Sequence, residues 1–251
     1  MSDRRSEAVQ FDGWAVVGDG RVGRALVASL PWLHGPYGRG FNGHNFHVVL
    51  LAVPDGEISR AAGAIEAGPI VGHCAASLGL DVLAPHEAFG LHPLIAITRA
   101  GAQFAGAGAA IAGSTPRALD TARTLANALH MLVVQIADKD RAAYHAAASI
   151  ASNFLITLED AAEVLLDTVG ADRYLLIPLV RATVENWVSL GVPSALTGPI
   201  VRGDEATVAR QRAAVTERAP ELLALFDALA DRTRAIVTGR DDQMRNPSGD
   251  G

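Results

Sequence analysis

Trp14-Ala15-Val16-Val17-Gly18-Asp19-Gly20-Arg21-Val22-Gly23 decides how this chain is read. Residues 11–17 are an apolar run whose β-branched Val16 and Val17 lead straight into glycine, which predicts a buried strand. Residues 21–30 follow with a helical pattern that stops at Pro31. A glycine turn between strand and helix suits a dinucleotide. The first glycine permits the tight turn, the second lets backbone approach a pyrophosphate, and the third allows close helix–strand packing. The helix N-terminus then offers unpaired N–H groups and partial positive charge. Gly18, Gly20, Arg21, Val22 and Gly23 are therefore the candidate cofactor residues, with Val53 and Pro54 at the end of the next strand. A lone GxGxxG is a weak signal in a chain with 25 glycines; the strand before it and the helix after it strengthen it.

Outward from that loop, strands and helices alternate. Residues 47–53 (HVVLLAV), 69–73, 108–113 and 131–136 (MLVVQI) read as strands, and residues 58–66 and 116–129 as helices. Such alternation implies βαβ units and a mainly parallel sheet. Residues 31–47 are too short for a strand, a helix and two loops, so the α/β fold is expected to be shortened after its first βα unit. They also hold no acidic residue, which argues against the ribose contact of an NAD site; Arg39 suits either a 2′-phosphate or a solvated loop. His34, His44 and His47 lack a nearby carboxylate or thiolate in sequence and read as loop polarity, not as a metal site.

After Ala137 the pattern becomes purely helical. Residues 138–169 have no Gly or Pro until the end, with apolar residues at Ile150, Phe154, Leu158, Ala161, Leu165 and Val169. Further helices are expected over residues 173–190 and from 204 to about 237. The domains are thus expected as 11–136 (Rossmann-like, dinucleotide-binding), 137–239 (helical, for substrate or dimerisation) and 240–251 (a disordered tail); residues 1–10 read as loose.

Composition bounds the function classes. With 49% hydrophobic and 19% charged residues, the 251-residue chain can bury a core, unlike a disordered protein. Its 46 alanines and 5% aromatics imply packing through small residues. A net charge of −6 without a basic cluster gives no footprint for nucleic acid. Cys74 is the single cysteine, which excludes an internal disulfide framework and a Cys-rich zinc site. No uninterrupted apolar run approaches the roughly 20 residues of a membrane span, and the first ten residues lead into no signal-peptide core. The expectation is a soluble cytoplasmic protein with no membrane and no metal.

Two further segments fall at expected strand ends: His73-Cys74-Ala75-Ala76-Ser77 and Leu91-His92-Pro93-Leu94. A histidine there suits general acid chemistry at a carbonyl. It equally suits capping of strand-end carbonyls, the preferred reading for His73, and Cys74 reads as a small inert core residue. On the following helix Asp138, Arg141, His145, Ser149 and Ser152 step by three, four, four and three, so they share one face. Asn153 borders that stripe and Tyr144 lies beside it. A cleft wall, a solvated face and a helix contact in a dimer all fit. Arg202, in a Gly-Pro turn before the helix that Asp204 can cap, suits a substrate carboxylate or a plain surface turn.

Together, GDGRVG at 18–23, LLAVPD at 50–55, HCAASLGLDVLAP at 73–85, LHPL at 91–94, DRAAYHAAASIASN at 140–153 and ALTGPIVRGDEATV at 195–208 resemble one group. It comprises Rossmann-like dehydrogenases with a C-terminal helical domain of unassigned function. They are distant relatives of ketopantoate reductase, pyrroline-5-carboxylate reductase and prephenate dehydrogenase. The resemblance implies NADP-dependent reduction of a small oxo-acid, with NAD not excluded. The His-Pro-Leu step is similar to the His-Pro-Met/Ile step of prephenate dehydrogenases, making His92 the first catalytic candidate, with His145 and Asn153 orienting the carbonyl. Ser77, Tyr144, Ser149, Arg202 and Asp204 are the substrate candidates. Ser149 stands where many β-hydroxyacid dehydrogenases carry lysine, four residues before the asparagine; the chain's one lysine is Lys139. The expected partners are a small carboxylate substrate and a second copy of the chain. A non-catalytic nucleotide or metabolite binder and a structural, partner-binding dimer are the rival readings.

Overall fold

The computed structural model describes residues 13–96 and 101–245, with side chains to residue 239. The loose N-terminus, the first residues of the opening strand and residues 246–251 of the tail lie outside the described residues. The chain divides into two compact units, Met1–Asn153 and Phe154–Gly251.

The first unit is an α/β sandwich built on seven strands. In chain order it comprises β1 (Trp14–Val17), α1 (Arg21–Ser29), β2 (His34–Tyr37), β3 (Val48–Leu51), α2 (Ile58–Ala62) and β4 (Ile70–His73). Then come β5 (Ala88–Leu94), β6 (Gly108–Gly113), α3 (Pro116–Ala128), β7 (Leu132–Gln135) and α4 (Arg141–Ala151). The sheet order is β2-β1-β3-β4-β5-β6-β7, parallel throughout except for the β5–β6 pair. Strand alternation divides the core. Trp14, Val16, Val48, Leu50, Phe89 and Leu91 face the layer of α1 and α3, where Leu26 and Leu125 are buried. Ala15, Val17, Val49, Leu51 and Val71 face the other layer, with Ile58 and Ala62 of α2 and Leu83. Thr115 caps α3 by accepting the Ala118 N–H at 3.1 Å, and Pro116 opens the helix where a missing N–H costs nothing.

The expected shortening after α1 is present, but it is narrower than a whole missing unit. The region after α1 does contain a strand: β2 pairs in parallel with β1, and only the helix after it is missing. The sequence His34-Gly35-Pro36-Tyr37 carries no apolar alternation because β2 is an edge strand, where proline is tolerated. In place of the helix, Tyr37, Phe41 and Phe46 pack on the sheet, with Tyr37 and Phe41 stacked at 4.1 Å between ring centroids.

The long helix expected over 138–169 is also corrected. Asp138–Asp140 form a single 3-10 turn, α4 follows, and Ser152 (φ −121°, ψ −69°) breaks the chain before α5 (Asn153–Asp167). The change to purely helical structure falls after β7, while the compact units divide at that break. The second unit continues with α6 (Ile177–Ala195), α7 (Glu205–Arg218) and α8 (Leu223–Arg245). Residues 240–245, expected in a disordered tail, are thus the last turns of α8. Val208, Val215, Ala219 and Ala230 are buried, whereas α5 and α6 contain no buried residue. The segment Arg173–Ala195 is long and apolar enough to cross a membrane by length and composition, although it holds no uninterrupted apolar run of that length. Arg181, Glu185 and a break at Gly191 (φ 70°) interrupt it.

Gly23 fixes the approach of α1 to β1. A Cβ on it would stand 2.0 Å from the Gly18 carbonyl oxygen. Gly23→Ala is expected to cost about 2–3 kcal/mol of stability by overpacking, read from a urea unfolding curve.

Candidate active site

Strands β1 to β5 run in one direction and end at one edge of the sheet, and the chain order reverses between β2 and β3 on either side of β1. That is the switch point where open α/β sheets take ligands. A cavity of about 620 Å³ lies there, lined by Gly18, Asp19, Tyr37, Arg39, Phe41, Val53, Pro54, Glu57 and Arg60 among others. Gly18 (φ +114°) turns the chain, and a Cβ on it would meet the Ala52 carbonyl oxygen at 2.4 Å. Gly20 differs: φ is −82°, and the nearest atom to a Cβ would be 3.9 Å away. The protein itself therefore requires glycine at 18 and 23 and leaves 20 open. Helix α1 starts at Gly20 with no side-chain cap and no acidic residue in its first turn. Asp19 is held by Arg24 through two bonds of 2.6 Å, and this pairing keeps its carboxyl below the usual range. Arg39, just beyond β2, is exposed and joins the lining. Arg60 pairs with Glu57 on the opposite wall.

A second cavity, of about 310 Å³, is lined by His92, Pro93, Leu94, Ile95, Ala96, His145, Ala148, Ser149, Ala151, Ser152 and Asn153. Strand β5 makes it possible by outrunning β4, whose pairing ends at His73 opposite Gly90, so Leu91–Leu94 extend beyond it. Helix α4 presents His145 and Ser149 to the cavity, while Asp138 and Arg141 of the same stripe lie outside the lining. The structure brings His92, His145, Ser149, Ser152 and Asn153 around one cavity.

Tyr144 stands behind His92, its hydroxyl 3.0 Å from Nδ1. Burial, then the neighbouring His145, then the charge of Arg141 push His92 down to about 4, with Asp55 acting the other way. His92 is therefore a neutral imidazole near pH 7. Burial raises Tyr144 above the usual phenol range, against the opposing charge of Arg141. Arg141 itself is 4% exposed, bound to Asp138 at 2.7 Å, and its guanidinium sits where a Cβ on Gly90 would stand 3.1 Å away. Its 141/138 spacing was visible as a stripe; its burial was not, because α4 is otherwise alanine-rich and shows little apolar periodicity.

Of the other candidates in the first unit, His73, Cys74 and Ser77 do not line this cavity. His73 is fully buried, and both ring nitrogens are used: Nδ1 accepts the Ala75 N–H at 3.2 Å and Nε2 lies 3.1 Å from the Gly79 carbonyl. It is a capping histidine. Ser77 is exposed and donates to Asp55 at 3.4 Å, outside the lining of the second cavity. Burial pushes the Cys74 thiol up to about 12. Arg202 and Asp204 belong to the second unit, where Asp204 caps α7 and both its oxygens are taken by Thr207. Among the described residues no group of three His, Cys, Asp or Glu stands together as a metal site.

This is a Rossmann-like α/β domain followed by a helical region. The chain belongs to the family described as a domain of unknown function (DUF2520), whose model matches residues 107–233, just over half of the chain. No curated protein matches. Among solved structures it is similar to a Thermotoga maritima protein at 21% identity (TM-score 0.78, 91% of this chain and 99% of that one). It is also similar to a Bacteroides fragilis protein provisionally named an NADP oxidoreductase, at 17% identity (TM-score 0.73, 90% and 99%). A third likeness, at 14% identity, is to a reductive aminase of Aspergillus terreus in complex with NADPH and ethyl-5-oxohexanoate (TM-score 0.65, 91% and 95%).

The lowered His92 gives a pH test. Between about 4 and 6.5 the unfolded chain binds the proton that folded His92 refuses, so stability is complete above 6.5 and falls as pH drops through that window. His73 is shifted in the same direction. Denaturation midpoints should fall from pH 7 to pH 4.5, and His92→Gln should remove on the order of 2 kcal/mol of that fall.

Proposed function

We propose that the chain is a nicotinamide-dinucleotide-dependent oxidoreductase that reduces a small oxo-acid, with a compound of the ketopantoate type as the first candidate. The observation that carries this reading is Gly20. Nothing in the protein demands glycine there, whereas a pyrophosphate lying against the start of α1 does. When bound, the cofactor supplies a hydride. Helix α1 would hold its pyrophosphate, with Arg24 neutralising Asp19 beside it. Arg39, at the end of β2 and with no acidic residue in 31–47 to oppose it, favours NADP over NAD. The switch-point strand β1 and His92-bearing β5 are three strand spacings apart, about 14 Å, so one extended dinucleotide can serve both cavities.

The smaller cavity would take the substrate. His92, as a neutral imidazole, hydrogen-bonds the carbonyl oxygen, while Ser149 and Asn153 orient it. Among the described lining residues there is no Arg or Lys, so these walls favour the uncharged carbonyl end of the molecule. We also propose a homodimer, because α5 and α6 leave Phe154, Ile156, Leu179, Trp187 and Val188 exposed. Light scattering at micromolar concentration should give twice the chain mass.

The first experiment is a titration with NADPH and NADH followed by nicotinamide fluorescence. NADPH should bind at least tenfold more tightly than NADH, and Arg39→Ala should abolish that preference. Gly20→Ala should weaken binding at least tenfold while leaving thermal stability within about 1 kcal/mol of wild type. With a turned-over 2-oxo acid, His92→Ala should lower kcat about a hundredfold. Binding without turnover would favour the alternative of a metabolite-binding protein. That reading draws on Ser149, which stands at the lysine position of the resembled dehydrogenases.

A further inference from the structure

A neutral imidazole is a poor acid, because losing a ring proton leaves an imidazolate. His92 can give up a proton only if its other nitrogen gains one in the same event. The groups that face it electrostatically are Tyr144, His145, Arg141, Asp55 and His73. Among the described residues, the Tyr144 hydroxyl is the group within hydrogen-bonding distance of a ring nitrogen, 3.0 Å from Nδ1. The ring also lines the 310 Å³ cavity, so Nε2 is the nitrogen left for a guest.

We infer that Tyr144 and His92 form a proton relay in which the tyrosine hydroxyl protonates Nδ1 as Nε2 gives its proton to the oxygen of a carbonyl bound in that cavity. The inference rests on the reductase reading and specifies where its proton comes from. The step balances. The carbonyl carbon accepts a hydride from the reduced nicotinamide dinucleotide, and its oxygen becomes an alkoxide that takes the Nε2 proton. The Tyr144 O–H bond breaks and an Nδ1–H bond forms, leaving a neutral His92 of the opposite tautomer and a tyrosinate. Solvent then reprotonates the tyrosine and the tautomer resets.

Arg141 has a defined part in this. It is a permanent cation, nearly wholly buried, one helical turn before Tyr144, and anchored by Asp138. Burial disfavours a tyrosinate at Tyr144; the Arg141 charge works against that penalty, and it also disfavours an imidazolium at His92. Tyr144 is thus a positioning residue that acts through His92.

Long-range proton–nitrogen NMR of the full-length protein labelled at histidine nitrogen, without cofactor, tests the resting state. The His92 signals are assigned by their loss in His92→Gln. The relay requires Nε2–H with an unprotonated Nδ1, and no imidazolium down to about pH 5. An Nδ1–H tautomer, or charging with a midpoint near 6.5, overturns it. In turnover with NADPH and a 2-oxo acid, Tyr144→Phe should lower kcat at least tenfold with unchanged KM for NADPH. The double variant with His92→Ala should be no slower than His92→Ala alone. A wild-type rate in Tyr144→Phe overturns the relay. A wild-type protein that binds no NADPH overturns the reductase reading and the relay with it; NADPH binding with the tautomer reversed overturns the relay alone.

Discussion

The contact between Gly23 and the Gly18 carbonyl governs the first unit. Because no side chain separates them, α1 begins at the very end of β1 and aims its uncapped N-terminus at the point where the strand order reverses. Every strand that contributes to the ligand edge is registered from β1 outward, through β3 to β4 and β5. Displacing α1 by even a methyl group would shift the turn at Gly18, which is already close against Ala52. The larger cavity is a consequence of that packing.

A second constraint operates at the other end of the edge. Arg141 is buried beside Gly90, and Asp138 answers its charge from the turn before α4. Burying a guanidinium is costly without such a partner. The pair fastens the start of α4 over β5, and this brings His145 and Ser149 to the wall opposite His92. The two ends differ in chemistry: one is a backbone site with arginines around it, the other a neutral pocket of imidazole, hydroxyl and amide groups.

Much of this was legible in the residues. The strands with continuous apolar runs, such as Val48–Leu51 and Gly108–Gly113, announce themselves because both faces are buried. His34–Tyr37 does not, since an edge strand carrying Gly and Pro has neither run nor alternation. The break at Ser152 was hidden for a different reason: serine neither ends nor kinks a helix by propensity, and the apolar period runs through it. At the site, His92 and the His145/Ser149 face could be named from helical spacing and resemblance. Arg39 keeps both of its readings, since it is exposed and also lines the cavity. The burial of Arg141 depends on Gly90, about fifty positions away, and no local pattern encodes that.

The antiparallel β5–β6 pair has a bearing on how the sheet assembles. It has the longest register in the molecule, six residue pairs against four or fewer elsewhere, and it joins strands that are consecutive in the chain. The residues between these two strands number 13, slightly fewer than between any other pair that is adjacent in both sheet and sequence, so more pairing is gained for no greater closure cost. Apart from the β1–β3 pairing, which skips the edge strand, every neighbour in the sheet is also a neighbour in sequence. The topology therefore favours folding that starts at the β5–β6 hairpin and adds strands on both sides, with the strand bearing His92 among the first to be fixed.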